Sequence, residues 1–190
     1  WQVMIAYKGF RKGKKGLPEA VLGSGTMTYE VGKWYETEGA QTASTGFHCC
    51  ENPLECLTYY SWNDNNVFYV VDVAGDVDED DASRICCTKI RLLKQLDLQS
   101  FILASAQYLL KHPKVPCRKV NEDKSSVTGR ESFVFVRGKA PCGAGKKGDY
   151  VVLLQEAADS KEIQALQLIH IDGKKYVPMV YYDIDRRAVE

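Results

Sequence analysis

The chain has no apolar run long enough to span a bilayer, no net charge and no cysteine pair at metal-ligand spacing. A membrane helix needs about 20 consecutive apolar residues. The longest apolar stretches, Val67 to Val73 and Phe101 to Leu110, are shorter than that, so no membrane partner is expected. Lysine plus arginine and aspartate plus glutamate both total 25. No global field therefore draws the chain to nucleic acid, and direct nucleic-acid binding is not expected. Structural zinc calls for thiolates or imidazoles at short, regular spacing. With no Cys-x-x-Cys pair and only His48, His112 and His170 to assist, no metal is expected. Gly143, Gly145, Lys146 and Lys147 lack the glycine-lysine-serine spacing of a phosphate loop. The sequence opens on Trp1 rather than methionine, so the lack of a leader argues nothing about export.

What is there is a chain of 190 residues, 45% hydrophobic, enough for one compact core with an appendage. Its seven cysteines include the adjacent pairs Cys49-Cys50 and Cys86-Cys87, which are poorly disposed to bridge within a pair. Free thiols packed as small hydrophobes, in the reducing cytoplasm of a bacterial cell, are the expected state.

The pattern along the chain predicts an α+β fold: a compact mixed amino-terminal domain with two main helices (residues 1–113), a charged linker (114–124) and a β-rich part (125–190) ending in a hairpin. Val3 to Tyr7 reads as a strand and Lys8 to Lys15 as a loop or hairpin end. Thr26 to Val31 and Lys33 to Glu38, around Gly32, suggest a two-stranded element, followed by a loop over 40–45. Asn52-Pro53-Leu54-Glu55 carries a cap, a first-turn proline and a capping-box acid, predicting a helix to about Tyr60. Val67 to Val73 is a buried strand ended by Gly75 and the acidic run Asp76 to Asp81, and Ile85 to Leu93 is another strand. Asp97 caps a second helix over Leu98 to His112, stopped by Pro113. Beyond Ser125, strands are expected at Phe133 to Val136, Tyr150 to Gln155, Leu166 to Ile171 and Lys175 to Tyr182, with Asp172-Gly173 as the hairpin turn.

Several of these segments together resemble an uncharacterised domain family of tailed phages and phage-bearing bacteria. The resemblance rests on Tyr7-Lys8-Gly9-Phe10, Tyr29-Glu30-Val31-Gly32-Lys33, Gly46-Phe47-His48, Cys50-Glu51-Asn52-Pro53-Leu54 and Tyr59-Tyr60. Ser83, Thr88-Lys89-Ile90 and the helix after Asp97 continue it in order, over roughly the first 110 residues. Thr128-Gly129, Gly148-Asp149-Tyr150 and Ile171-Asp172-Gly173-Lys174 look like remnants of the glycine-punctuated repeats that follow this domain in longer relatives. Such repeats imply a short β-solenoid. The resemblance implies phage or prophage origin and no set activity.

The order of elements also broadly resembles that of ADP-ribosyltransferases, in which a nicotinamide cofactor lies between split sheets. Carried over, Tyr7 and His48 match the first two positions of that active site and are the candidate catalytic residues. The third, a glutamate that supports a cation-like transition state, has only Glu131 and Glu156 to offer. His48 also follows Phe47 just before a predicted helix entrance. The candidate binding residues are Phe47, His48, Tyr59, Tyr60, Trp34 and Trp62, because tyrosine and tryptophan are enriched at interfaces.

The expected function is a phage or prophage accessory protein that binds a host or phage protein and needs no cofactor, with inhibition of a bacterial defence system such as CRISPR-Cas as its concrete form. An ADP-ribosyltransferase-like protein binding NAD through Tyr7 and His48 is the alternative. A virion or assembly component is a third.

Overall fold

The computed structural model describes residues 2–22, 25–39, 46–80 and 83–190. It is mostly β, with 51% of residues in strands and 13% helical, which overturns the α+β expectation with two main helices. The chain divides into two compact units, Trp1–Tyr108 and Leu109–Glu190.

The first unit holds β1 (Met4–Lys12), β2 (Pro18–Leu22), β3 (Gly25–Thr28), β4 (Trp34–Glu36), β5 (Phe47–Cys50), β6 (Asn66–Glu79) and β7 (Arg84–Gln95). β1 pairs with β6 along its length, β6 with β7, β7 with β5, and β5 returns to β1 through Tyr7 and Cys50. These four strands form a closed barrel. β2 and β3 extend from the far end of β1, and β4 lies on β7. The expected two-stranded element around Gly32 therefore does not form, since each half pairs elsewhere. The loop expected over 40–45 lies outside the described residues, as does Asp81 of the acidic run.

Alternation puts Ala6, Phe10, Phe47, Cys49, Val71 and Val73 into the barrel core. On β7 the buried core residues change parity, from Ile85 and Cys87 to Ile90 and Leu92. Opposite that change the ladder between β6 and β7 slips between Ala74 and Val77. A bulge of this kind bends a strand and adds twist. Gly75 sits in it at φ 76, and Thr88 Oγ1 accepts the Asp76 N–H at 2.9 Å. Gly75 thus bends β6 onward to Glu79 instead of ending it. The charged stretch after Tyr7 likewise stays in β1, because Gly9 and Phe10 pair with Phe68 and Val67.

The first predicted helix is a 3-10 helix over Pro53–Thr58. Its cap is as read: Asn52 Oδ1 accepts the Leu54 N–H at 3.1 Å. Such a cap stabilises by about 1 kcal/mol. The turn formers Ser61, Asn63, Asp64 and Asn65 follow too soon for the segment to grow into an α-helix, whose nucleus is costly. The second prediction stands as α1 (Leu98–Lys111), with Asp97 Oδ1 accepting the Ser100 N–H at 2.8 Å. Phe101 of α1 meets Trp62 and Phe68 at ring-centroid distances of 4.8 and 5.3 Å.

The second unit holds β8 (Val120–Ser126), β9 (Phe133–Ala144), β10 (Tyr150–Glu156), β11 (Ile163–His170), β12 (Tyr181–Asp183) and β13 (Ala188–Val189). β8 starts inside the stretch read as linker. β8 and β10 flank β9 in parallel, whereas β11 and β12 run antiparallel to their neighbours. This is one mixed sheet and not a stack of equivalent solenoid rungs. β9 doubles back within it: Val151 pairs with Val134, yet a Cβ on Gly143 would lie 2.5 Å from Val151 Cγ1. A straight strand would separate residues nine apart by about 30 Å. The bend falls near Gly138, where a Cβ would meet Asp123 Oδ1 at 2.5 Å. Asp172-Gly173 does turn, with Asp172 Oδ1 accepting N–H groups of Lys174 and Tyr176. The strands on either side of it do not pair with each other, because β12 joins β9; the terminal hairpin is β12 with β13, Tyr181 opposite Val189. No helix among the described residues is long and apolar enough to cross a membrane.

Candidate functional site

The barrel closes weakly at one seam. Between β1 and β5 a single residue pair, Tyr7 with Cys50, is in register. Lys8 Nζ adds a second tie by donating to the His48 carbonyl oxygen at 2.6 Å. A cleft of about 510 Å³ opens at this seam. Tyr7, Lys8 and Gly9 line it from β1, His48, Cys49 and Cys50 from β5, and Arg84 from the start of β7. Cys56 of the 3-10 helix, Tyr59 and Tyr60 just after it and Val21 of β2 complete the wall. Pockets of a few hundred Å³ suit small organic ligands.

Register explains why these side chains meet. Cys50 pairs with Arg84 on one side and Tyr7 on the other, and His48 lies two residues from Cys50. Paired residues share a face and i, i+2 residues repeat it, so Tyr7, His48, Cys50 and Arg84 present one face. Phe47 and Cys49 take the opposite, core-facing side. Gly9 is bare where Tyr60 packs: a Cβ there would lie 3.0 Å from Tyr60 Cδ2 and 3.1 Å from Phe68 Cε1.

The electrostatics of the cleft are one-sided. Burial, then the positive charges of Lys8 and Arg84, hold the His48 imidazole below its ordinary pKa. Burial, then Cys56, raises the Tyr7 phenol. A hydrogen bond with Cys50, then burial, raises the Cys56 thiol well above its usual range. Cys87 is raised in the same way by Cys49 and burial. These groups are kept as neutral thiols, the form that is neither nucleophile nor metal ligand. Arg84 is held protonated by hydrogen bonds with Tyr59 and Asp80. No group of three or more histidine, cysteine or acidic side chains among the described residues could hold a metal ion.

Of the residues singled out from sequence, Tyr7, His48, Tyr59 and Tyr60 share this cleft. The other three lie elsewhere. Phe47 is a core residue, 6.3 Å from the Tyr29 ring centroid. Trp34 stacks under Arg91 at 4.6 Å, itself tied to Asp72. Trp62 lies flat on Phe68, 4.8 Å between centroids and 17° between planes. The helix entrance suggested for His48 is the six-residue 3-10 turn, which is too short to act as an anion site. Glu131 and Glu156 belong to the second unit. Glu156 there is buried, with Oε2 accepting from Arg137 Nε at 2.8 Å. Sequence reading missed Lys8 and Arg84: Lys8 sat in plain view in Tyr7-Lys8-Gly9, but Arg84 has no local signal at all.

The first unit is thus a small closed β-barrel with a cationic, tyrosine-lined cleft in its one loose seam. Residues 4–104 match a domain of unknown function, DUF7666, and the chain belongs to that family. No curated protein and no solved structure matches the chain significantly.

Proposed function

We propose that the protein acts by binding a small, ring-bearing organic ligand in the seam cleft, without making or breaking a bond in it. The observation that carries this reading is the make-up of the wall: three tyrosines beside Lys8, His48 and Arg84, and no aspartate or glutamate among the described residues. Aromatic faces and cationic donors hold and orient a ligand. Stabilising the cation-like centre of a ribosyl transfer needs a carboxylate near it, and the lining residues supply none. Nicotinamide nucleotides are one class such a cleft would hold, with Tyr7 and His48 as contacts. Incubation with NAD tests this: saturation-transfer NMR should show ring contact that Tyr7→Ala weakens tenfold or more, with no free nicotinamide appearing. Release of nicotinamide, or contact indifferent to Tyr7→Ala, would contradict it.

A second reading is favoured by the cleft's rim, where Val21 and Tyr59 are 59% and 53% exposed. Apolar side chains left at a cleft mouth are what a protein partner covers. Together with the sequence resemblance, this supports an accessory protein of a phage or prophage that binds a host or phage protein in the bacterial cytoplasm. Inhibition of a defence system such as CRISPR-Cas is its concrete form, and a virion or assembly role is the third possibility. A pull-down from host lysate with the wild-type chain should enrich a defined partner that Tyr59→Ala loses. Equal capture by both chains would contradict this reading.

A further inference from the structure

The cleft concentrates charge of one sign in a chain that has no net charge. Lys8, His48 and Arg84 reach it from three different strands, and no carboxylate side chain among the described residues lines it. Lys8 leaves β1 on the side opposite Tyr7 and reaches the cleft through the open seam, its Nζ 5.4 Å from the Phe10 ring centroid; it uses one N–H on the His48 carbonyl oxygen, leaving two of an ammonium's three donors. Arg84 Nε turns to Asp80, and a further guanidinium bond engages Tyr59, leaving part of its five-donor fork. Arg84 and its Asp80 partner are together neutral, so the excess charge rests on Lys8 and on any proton His48 takes up. Other titratable groups around His48 are Tyr7 from β1, Cys86 paired with it on β7, Cys50 from its own strand, Cys56 from the 3-10 helix and Tyr59 just after it.

A singly charged carboxylate would be satisfied by Lys8 alone. A phosphate offers three acceptor oxygens and up to two negative charges, matching the donors that three residues bring to one cleft. Tyr59 and Tyr60 supply aromatic faces beside those donors. We infer that the cleft takes a phosphate ester of a ring-bearing molecule, the phosphate lying between Lys8, His48 and Arg84 and the ring against Tyr59 and Tyr60. This rests on the ligand-binding reading given above and narrows it to a chemical class. The lowered pKa of His48 is due first to burial and then to the nearby Lys8 and Arg84 charges, and a bound anion would oppose the charge part of it.

Calorimetry on the full chain with adenosine 5′-monophosphate, adenosine and inorganic phosphate tests this. The expected result is that the monophosphate binds at least tenfold more tightly than adenosine, and that added salt weakens the difference. Lys8→Gln and Arg84→Gln should each lose tenfold or more for the monophosphate and leave adenosine unchanged. The Arg84 side chain is 49% exposed, so its replacement is not expected to compromise folding, and near-UV circular dichroism checks the Lys8 variant. Equal affinity for adenosine and its monophosphate would overturn the phosphate assignment and leave the ligand-binding reading standing. Absence of binding by all three probes, with Tyr7 and His48 resonances unmoved, would overturn the phosphate-ester assignment outright; NAD contact in the previous test would then decide the broader reading.

Discussion

Gly75→Val will destabilise the barrel by about 3 kcal/mol or more, the sum of three effects. Gly75 has φ 76, a region that β-branched residues adopt only under strain. A Cβ there would lie 2.1 Å from Thr88 Oγ1, the atom that accepts the Asp76 N–H. Relieving the clash breaks that hydrogen bond, worth about 1 kcal/mol, and overpacking adds about 1–3 kcal/mol. The bulge lets β6 bend far enough to keep β7 paired beyond it, so the damage falls on barrel closure. Trp34 and Trp62 both belong to the first unit, so urea unfolding followed by tryptophan fluorescence reads this directly. An unchanged midpoint would mean that the bulge does not shape the barrel.

Arg137→Ala will cost the second unit about as much, on the order of 3–5 kcal/mol. Arg137 donates from Nε to Glu156 at 2.8 Å, from one terminal nitrogen to the Pro113 carbonyl at 2.8 Å and from the other to the Lys161 carbonyl at 2.9 Å. Glu156 is 5% exposed, so removing its partner leaves a charge in a dry site, with Lys139 and Lys161 at 3.6 and 3.8 Å as poor substitutes. Amide exchange in β9 and β10 should accelerate strongly. The double variant Arg137→Met with Glu156→Leu should recover much of the loss, because it removes both charges together. If Arg137→Ala alone leaves exchange unchanged, the pair is not what secures this sheet.

The sequence made local structure legible wherever one short segment decides it. Asn52 and Asp97 cap as their residue types require, and α1 follows its apolar stripe to Lys111. Barrel closure was not legible, because it depends on Tyr7 meeting Cys50 and on a parity change around Thr88 that no local pattern announces. Gly75 illustrates the limit: glycine beside an acidic run reads as a strand end, and only the partner strand shows it to be a bulge. At the site, Tyr7 and His48 were found because motifs around them stand out, and the structure brings them to one cleft. Trp34 and Trp62 were chosen as aromatics near that segment in sequence, but Arg91 and Phe68 claim them. Arg84 joins the site only through its pairing with Cys50, a contact 34 positions away along the chain.

The central claim is that the seam cleft is an anion-binding site whose potential His48 feels. The chain has three histidines, so His48→Gln identifies the imidazole signal by its disappearance. Proton NMR titration of that signal, without and with adenosine 5′-monophosphate, is the most direct test. In the free protein the His48 midpoint should lie below the ordinary histidine value of about 6.5. With the ligand bound it should move upward, because a neighbouring negative charge favours the imidazolium. A midpoint that starts low and climbs on ligand addition is the predicted result; a midpoint indifferent to the monophosphate at saturating concentration would contradict the account.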